Sequence, residues 1–373
     1  MMRARTITDD IHRDALGRDP ARCPPSLRLD PPVAGAAIPS STRKDDHMTI
    51  TRRIFTLGLA AIGMAAALTA PAAAQDTYPV TFTHAFGETT LAAKPERIVT
   101  IGWTTQDAVL ALGEVPVAIP EQMWGGDEKG VLPWVNDAVA ASGKPAPAVI
   151  NFDTDIPYEQ LLALDPDVIL APYSGITQDQ YGRLSAIAPT IAYAKDPWAG
   201  SWQDITLTVG KALGKSAEAQ ALVDSVNARF ADTAAAHPEF KDKTFTFGSL
   251  WVGTAGMNVY SATDPRIPMV EQLGLKVSPG VLELSKQPGY FFDVSLENLA
   301  SVDADVLILL DEGGPEADAL YQNDLIRRFA PVADGRMLRL NGKSYVMATS
   351  APSPLSIPWM LDKFVAGLAD AAK

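Results

Sequence analysis

Cysteine occurs once in the 373 residues, at Cys23, and histidine only four times. Cys23 falls in a stretch that reads as a discarded leader. The remaining chain therefore has no disulfide, no thiolate nucleophile and no sulfur ligand for a metal. No cysteine follows the apolar run Ile54–Ala70, which removes the acceptor for a lipoprotein acyl chain. Past the leader only His84 and His237 remain, and two isolated histidines cannot build a nitrogen-rich zinc site. Basic residues are scarce too. There are 31 Lys and Arg against 44 Asp and Glu, and ten of the basic but only seven of the acidic residues precede Gln75, which leaves 21 against 37. So acidic a surface excludes nucleic acid and anionic membrane as partners. The nucleophile elbow Gly-x-Ser-x-Gly, the phosphate loop and the Gly-x-Gly-x-x-Gly fingerprint are all missing. Carboxylates are plentiful, but no pair stands out as an acid/base couple. The chain is expected not to be an enzyme.

What is present begins with an export signal. Residues 1–47 mix charges, prolines and isolated apolar residues without a period, as a segment too poor in apolar surface to fold does. Then Arg52-Arg53, the apolar run and Pro71-Ala-Ala-Ala form the basic, apolar and small-residue regions of a secretory signal, with cleavage near Ala74. The paired arginines also resemble a twin-arginine signal. Met48 is the expected true start and 1–47 a non-native leader. Glycines and alanines dilute the run too far for a membrane anchor. Cleavage leaves 299 residues, long for one core, so two lobes are expected.

Along that chain, strand and helix patterns alternate, which is the α/β signature. Arg97–Gly102 reads as a buried strand, Thr105 as the cap of helix Gln106–Leu112, and Val115–Ile119 as the next strand. A second set runs from the strand Thr244–Trp251 through the helix Ala317–Phe329 and the strand Arg336–Leu340 to a terminal helix Ile357–Ala371. Between the sets, Trp202–Leu213 and Ala217–Ala235 are helical, interrupted at Gly214. The sets share a segment: 159–170 aligns without gaps to 297–308, with five of twelve positions identical. Two related lobes form a natural clamp for a small ligand.

Large aromatic residues stand where strands give way to loops: Trp103, Trp124, Tyr173, Trp198 and Trp251. Ligands of open α/β sheets bind beyond the carboxyl ends of the strands. Rigid rings there supply contact area at low entropic cost.

Lys94-Pro-Glu-Arg-Ile-Val-Thr-Ile-Gly, Ala111-Leu-Gly-Glu-Val-Pro-Val-Ala-Ile, Tyr158-Glu-Gln-Leu-Leu-Ala-Leu-Asp-Pro-Asp-Val-Ile, Ala212-Leu-Gly-Lys-Ser-Ala-Glu-Ala, Val294-Ser-Leu-Glu-Asn-Leu and Ser353-Pro-Leu-Ser-Ile-Pro-Trp-Met-Leu-Asp stand in that order. Together they resemble the iron–siderophore/cobalamin class of periplasmic solute-binding proteins of ABC transporters. The resemblance implies two Rossmann-like α/β lobes, 75–201 and 215–373, joined by a single rigid helix placed at 202–214, with ligand in the cleft. It implies a soluble, monomeric periplasmic carrier that binds a ferric siderophore and delivers it to an inner-membrane ABC permease. Alternatives are a cobalamin or haem carrier of the same fold, or an exported enzyme acting on siderophores. Iron would enter only as part of the chelate, with no cofactor and no metal ligand from the protein. Candidate cleft residues are Trp103, Trp124, Tyr173, Trp198, Trp251, Tyr260, Tyr290 and Tyr345, with Arg266 as the cation for an anionic chelate. Glu159 and Glu297 carry over as the two carboxylates that dock onto permease arginines.

Overall fold

A computed structural model of the protein describes residues 76–152 and 155–373. The leader and the export signal expected over 48–74 lie outside these residues.

The described chain opens with an antiparallel hairpin, β1 (Val80–His84) and β2 (Gly87–Leu91). Strands and helices then alternate: β3 (Ile98–Gly102), α1 (Thr105–Ala111), β4 (Ala118–Pro120), α2 (Pro133–Ser142), β5 (Ala148–Ile150), α3 (Tyr158–Ala163), β6 (Val168–Tyr173), α4 (Gln178–Ser185) and β7 (Thr190–Ile191). Their sheet is parallel throughout, in the order β5-β4-β3-β6-β7. Every residue of β3 and β6 is buried, as parallel strands covered on both faces must be. The cap of α1 is Thr104 rather than Thr105, whose hydroxyl instead donates back to Ile101 O.

Helices α5 (Trp202–Ala212) and α6 (Ser216–Ala236) follow. The second lobe contains β8 (Thr244–Ser249), β9 (Gly256–Tyr260), α7 (Arg266–Glu271), β10 (Lys276–Val277), α8 (Pro279–Leu284), β11 (Phe291–Ser295) and the 3-10 turn Leu296–Val302. After these come β12 (Val306–Asp311), α9 (Gly314–Leu320), α10 (Asp324–Arg328), α11 (Ala330–Ala333), β13 (Met337–Asn341), α12 (Lys343–Ser350) and α13 (Ser356–Ala371). This sheet runs β11-β9-β8-β12-β13 with β10 beside β8, and β9 is antiparallel to both its neighbours. The helix expected over Ala317–Phe329 is broken, because Asn323 turns out of it and caps α10 by accepting from Leu325 N.

The repeated segment has one physical job in both lobes. In the first, the Asp167 carboxylate accepts from Glu96 N and Arg97 N, at 2.7 and 3.0 Å, just before β3. In the second, Asp305 accepts from Thr244 N at 2.8 Å, where β8 begins. Each aspartate thus ties the start of its own strand, β6 or β12, to the start of the parallel neighbour. An arginine backs each turn: Arg97 donates to the carbonyls of Leu164 and Asp165, and Arg336 to those of Ala304 and Asp305.

The connection between the lobes differs from the expected 202–214. Helix α5 packs on α1 and β6 of the first lobe. Helix α6 instead places Ala219 in the first lobe's core and Val226 and Phe230 in the second's. The reason lies in length: α6 has 21 residues, so it spans about 30 Å at 1.5 Å per residue, enough to reach both cores. A continuous apolar cluster also joins Trp134 and Val135 of α2 to Leu361 and Phe364 of α13.

Candidate ligand-binding cleft

The carboxyl ends of the parallel strands in the two sheets open into one interlobe region. Its larger cavity, about 630 Å³, takes Trp103, Glu121, Gln122, Met123 and Trp124 from the loops after β3 and β4. The second lobe supplies Trp251, Tyr260, Arg266 and Glu312, together with Val346, Met347 and Ser350 of α12. A second cavity, about 310 Å³, is lined by Tyr173, Trp198, Tyr290 and neighbours on α5 and α7, with no charged side chain. Trp198 and Trp103 also share a third, smaller space beside Glu121.

The rings are arranged in pairs. Trp103 and Trp198 lie 5.4 Å apart between centroids, and Tyr173 meets Trp198 edge-on at 5.9 Å. Across the cleft, Trp124 of the first lobe faces Trp251 of the second at 6.2 Å. Trp103, Trp124, Trp198 and Tyr290 stay substantially exposed, which leaves apolar ring surface free for a ligand. Trp198 is held in place against backbone preference: its φ is +56°, and its N–H donates to Ser174 O at 3.0 Å. Its indole lies over Gly175, where a Cβ would sit 2.4 Å from Nε1, so only glycine lets the ring settle there. A second glycine sets the cleft's far wall. Gly125, at φ +95°, accepts from Ser344 Oγ at 2.7 Å, and a Cβ on it would press within 2.9 Å of Met347.

Arg266 reaches the cleft, but its charge is already met. Nη1 donates to both oxygens of Asp264 at 2.9 Å, Nη2 donates to Ser350 Oγ at 2.6 Å, and the guanidinium lies 4.0 Å over the Tyr260 ring. Asp264 is almost wholly buried, so this pair is neutral as seen from the cavity. Arg266, expected as the cation for an anionic chelate, thus stands in the cleft with both terminal nitrogens engaged and only Nε without a partner. Tyr260 itself is buried and donates to Ser249 Oγ.

Tyr345 is not brought to the cleft. On α12, Val346, Met347 and Ser350 share the cavity face by helical spacing, which turns Tyr345 to the other side. There it packs against Trp359 at 4.9 Å, under the Lys363 ammonium. Glu159 and Glu297 are both exposed, each second in its helical turn, and neither makes an ion pair among the described residues. His84 is a structural residue: it is buried, its Nε2 is 2.9 Å from Thr89 Oγ1, and its Nδ1 accepts from Phe86 N. His237 closes α6 and pairs with Glu239 at 2.8 Å.

Glu121, Gln122, Met123 and Glu312 went unnoticed in the sequence, although each stands within three residues of a strand's carboxyl end, the signal that singled out the tryptophans. The α12 face and Ser350 gave no such signal, because only packing decides which side of that helix meets the cleft.

Two α/β lobes, a helix shared by their cores and an aromatic cleft at the strand ends define a two-lobe ligand-binding protein. Residues 98–343 match the periplasmic binding protein family model, and the chain belongs to that family. It is 31% identical to PiaA of Streptococcus pneumoniae TIGR4, solved in complex with ferrichrome, with a TM-score of 0.67 over 79% of this chain and 98% of that one. A periplasmic solute-binding protein of Mycobacterium smegmatis is 33% identical, with a TM-score of 0.70 over 79% of this chain and 99% of that one. Among curated proteins, the Fe(3+)-citrate-binding protein YfmC of Bacillus subtilis is 24% identical over 67% of this chain and 75% of that one. No helix among the described residues is long and apolar enough to cross a membrane.

Proposed function

We propose that this protein captures a ferric siderophore between its lobes and presents it to the permease of an ABC importer. The observation that carries this reading is the cleft itself, where tryptophans from both lobes face one cavity of about 630 Å³ at the carboxyl ends of the strands. A hexadentate chelate wraps its iron in oxygen donors and presents a bulky, partly apolar shell. Rings such as Trp124 and Trp251 suit that shell, and no protein ligand to the metal is called for. Ferrichrome, bound in the structure of one relative, is an iron chelate of this kind, and another relative is named for binding ferric citrate. Iron therefore enters as part of the substrate and not as a resident cofactor. The family's role is binding, and we read this chain likewise as a carrier that works without turnover, exported and acting as a monomer.

Titrating the purified protein with ferric siderophores should quench tryptophan fluorescence saturably and leave the chelate chemically unchanged. Trp251→Ala should weaken binding about tenfold or more, the loss of an aromatic anchor at the centre of an interface. Saturable binding of cobalamin or haem, with no response to any ferric siderophore, would overturn the reading. So would steady reduction or hydrolysis of the bound chelate.

Docking rests on Glu159 and Glu297, exposed carboxylates at matching places in the repeat. One on each lobe lets a two-fold permease read both halves with arginines. The double alanine variant should lose iron-chelate uptake in cells while its dissociation constant stays within about twofold, as surface changes remote from the cleft do. Normal uptake by that variant would remove the assignment.

A further inference from the structure

The proposed siderophore reading leaves the charge of the cargo open, and the charges around the cleft address it. Among the described residues, three charged side chains line its cavities: Glu121, Glu312 and Arg266. The cation is offset by the buried Asp264, which sits 2.9 Å from Nη1. Among the described residues the side-chain partner of Glu121 is the neutral amide of Asn151, so its charge is not offset by that contact. Glu312 is offset in part by the solvated Lys343 at 3.8 Å, about half of whose side chain is exposed. Among the described residues the lining thus holds an excess of negative charge, and its one cation, Arg266, is engaged by Asp264 and Ser350 through both terminal nitrogens and keeps only Nε without a partner.

Ferric siderophores fall into charge classes by simple donor chemistry. Three hydroxamates neutralise ferric iron, so their complex is neutral, or cationic when the backbone carries an ammonium. Three catecholates leave a trianion, and citrate-type donors also leave a net anion. An anion brought into this cleft would be stripped of water beside Glu121 and Glu312, with one unpartnered guanidinium N–H of Arg266 set against two carboxylates. A neutral shell meets tryptophan faces, and an ammonium gains from both carboxylates and the rings. We infer that the cleft selects a neutral or cationic hydroxamate-type ferric chelate and rejects catecholate and carboxylate types.

The test is a set of fluorescence titrations at one fixed ionic strength with four probes: ferrichrome (neutral), ferrioxamine B (cationic), ferric enterobactin and ferric citrate (both anionic). The two hydroxamates should bind at least about tenfold more tightly than either anion. Removing the carboxylates in Glu121→Gln/Glu312→Gln should weaken ferrioxamine B severalfold more than ferrichrome and narrow the gap to the anions. The folded state of the variant is checked by its melting curve. Tightest binding of an anionic chelate would overturn the inference while leaving the siderophore reading intact, and so would an unchanged preference in the double variant. Failure of all four probes to bind would bring down both.

Discussion

Arg339→Met should lower the unfolding free energy by about 3 kcal/mol, with a matching fall in the midpoint of urea denaturation. Asp311, the last residue of β12, is fully buried, and its carboxylate takes Arg339 Nε at 2.5 Å and Nη2 at 3.0 Å. Tyr321 OH and Gly313 N complete its shell, each at 2.8 Å. Methionine keeps the aliphatic volume but leaves a buried anion without its cation, which costs more than the pair itself contributes. The effect falls short of that for a fully enclosed pair because the guanidinium still reaches solvent, with 24% of its side chain exposed. The pairing with Asp311 holds the guanidinium charged at any accessible pH, while burial and that carboxylate push the Tyr321 phenol well above its ordinary range. Glu312 follows directly, so the same variant should also disturb the cleft wall and weaken ferric-chelate binding. A stability within error of the wild type would show that the pair is dispensable.

The second large effect concerns Asp107, on α1 at the junction of the lobes. Its Oδ2 accepts from Trp134 Nε1 at 2.7 Å and from Ser353 Oγ at 2.5 Å, and Ser353 belongs to the second lobe. Its Oδ1 is buried with no donor. Complete burial pushes the carboxyl up from 3.8 to about 7, outweighing the hydrogen bonds that favour the anion. Because the folded state holds its proton more tightly than the unfolded state, this site's stabilising share is full below about pH 4. It is lost as pH rises through about 7. Relative to Asp107→Asn, which stays neutral, the wild type should lose stability across that window by roughly 1.4 kcal/mol per pH unit at most. Paired urea denaturation curves from pH 4.5 to 7.5 measure this, and a difference that stays flat with pH would refute the buried neutral carboxyl. Asp107→Ala should cost about 2–4 kcal/mol near pH 5, since it strands the Trp134 and Ser353 donors between the lobes.

Much of this molecule was legible from local sequence. Short buried apolar runs such as Ile98–Ile101 and Val306–Leu310 read as strands, and strands appear there. The repeat around Asp167 and Asp305 was visible because both copies do the same local work, pinning one strand start to its neighbour. Tryptophans at strand ends were equally legible, since a strand's carboxyl end is a sequence position.

What escaped depends on contacts between distant segments. The antiparallel β9 and β11 have no alternating pattern strong enough to announce themselves, since four of the five residues of β11 stay partly or wholly exposed. Tyr345 and Met347 are two residues apart on α12, yet only the docking of α13 decides that one packs on Trp359 and the other lines the cleft.

The sequence by itself determined the two α/β lobes, the helical stretch between them and the aromatic character of the ligand region, because each follows from residues near in the chain. Tertiary structure decided that α6 rather than 202–214 enters both cores, because reach across two lobes is a property of helix length and packing together. It also decided the charge of the cleft. Asp264 and Arg266 are near neighbours in sequence, but only the fold buries the aspartate against the arginine and brings Glu121 and Glu312 to the same cavity.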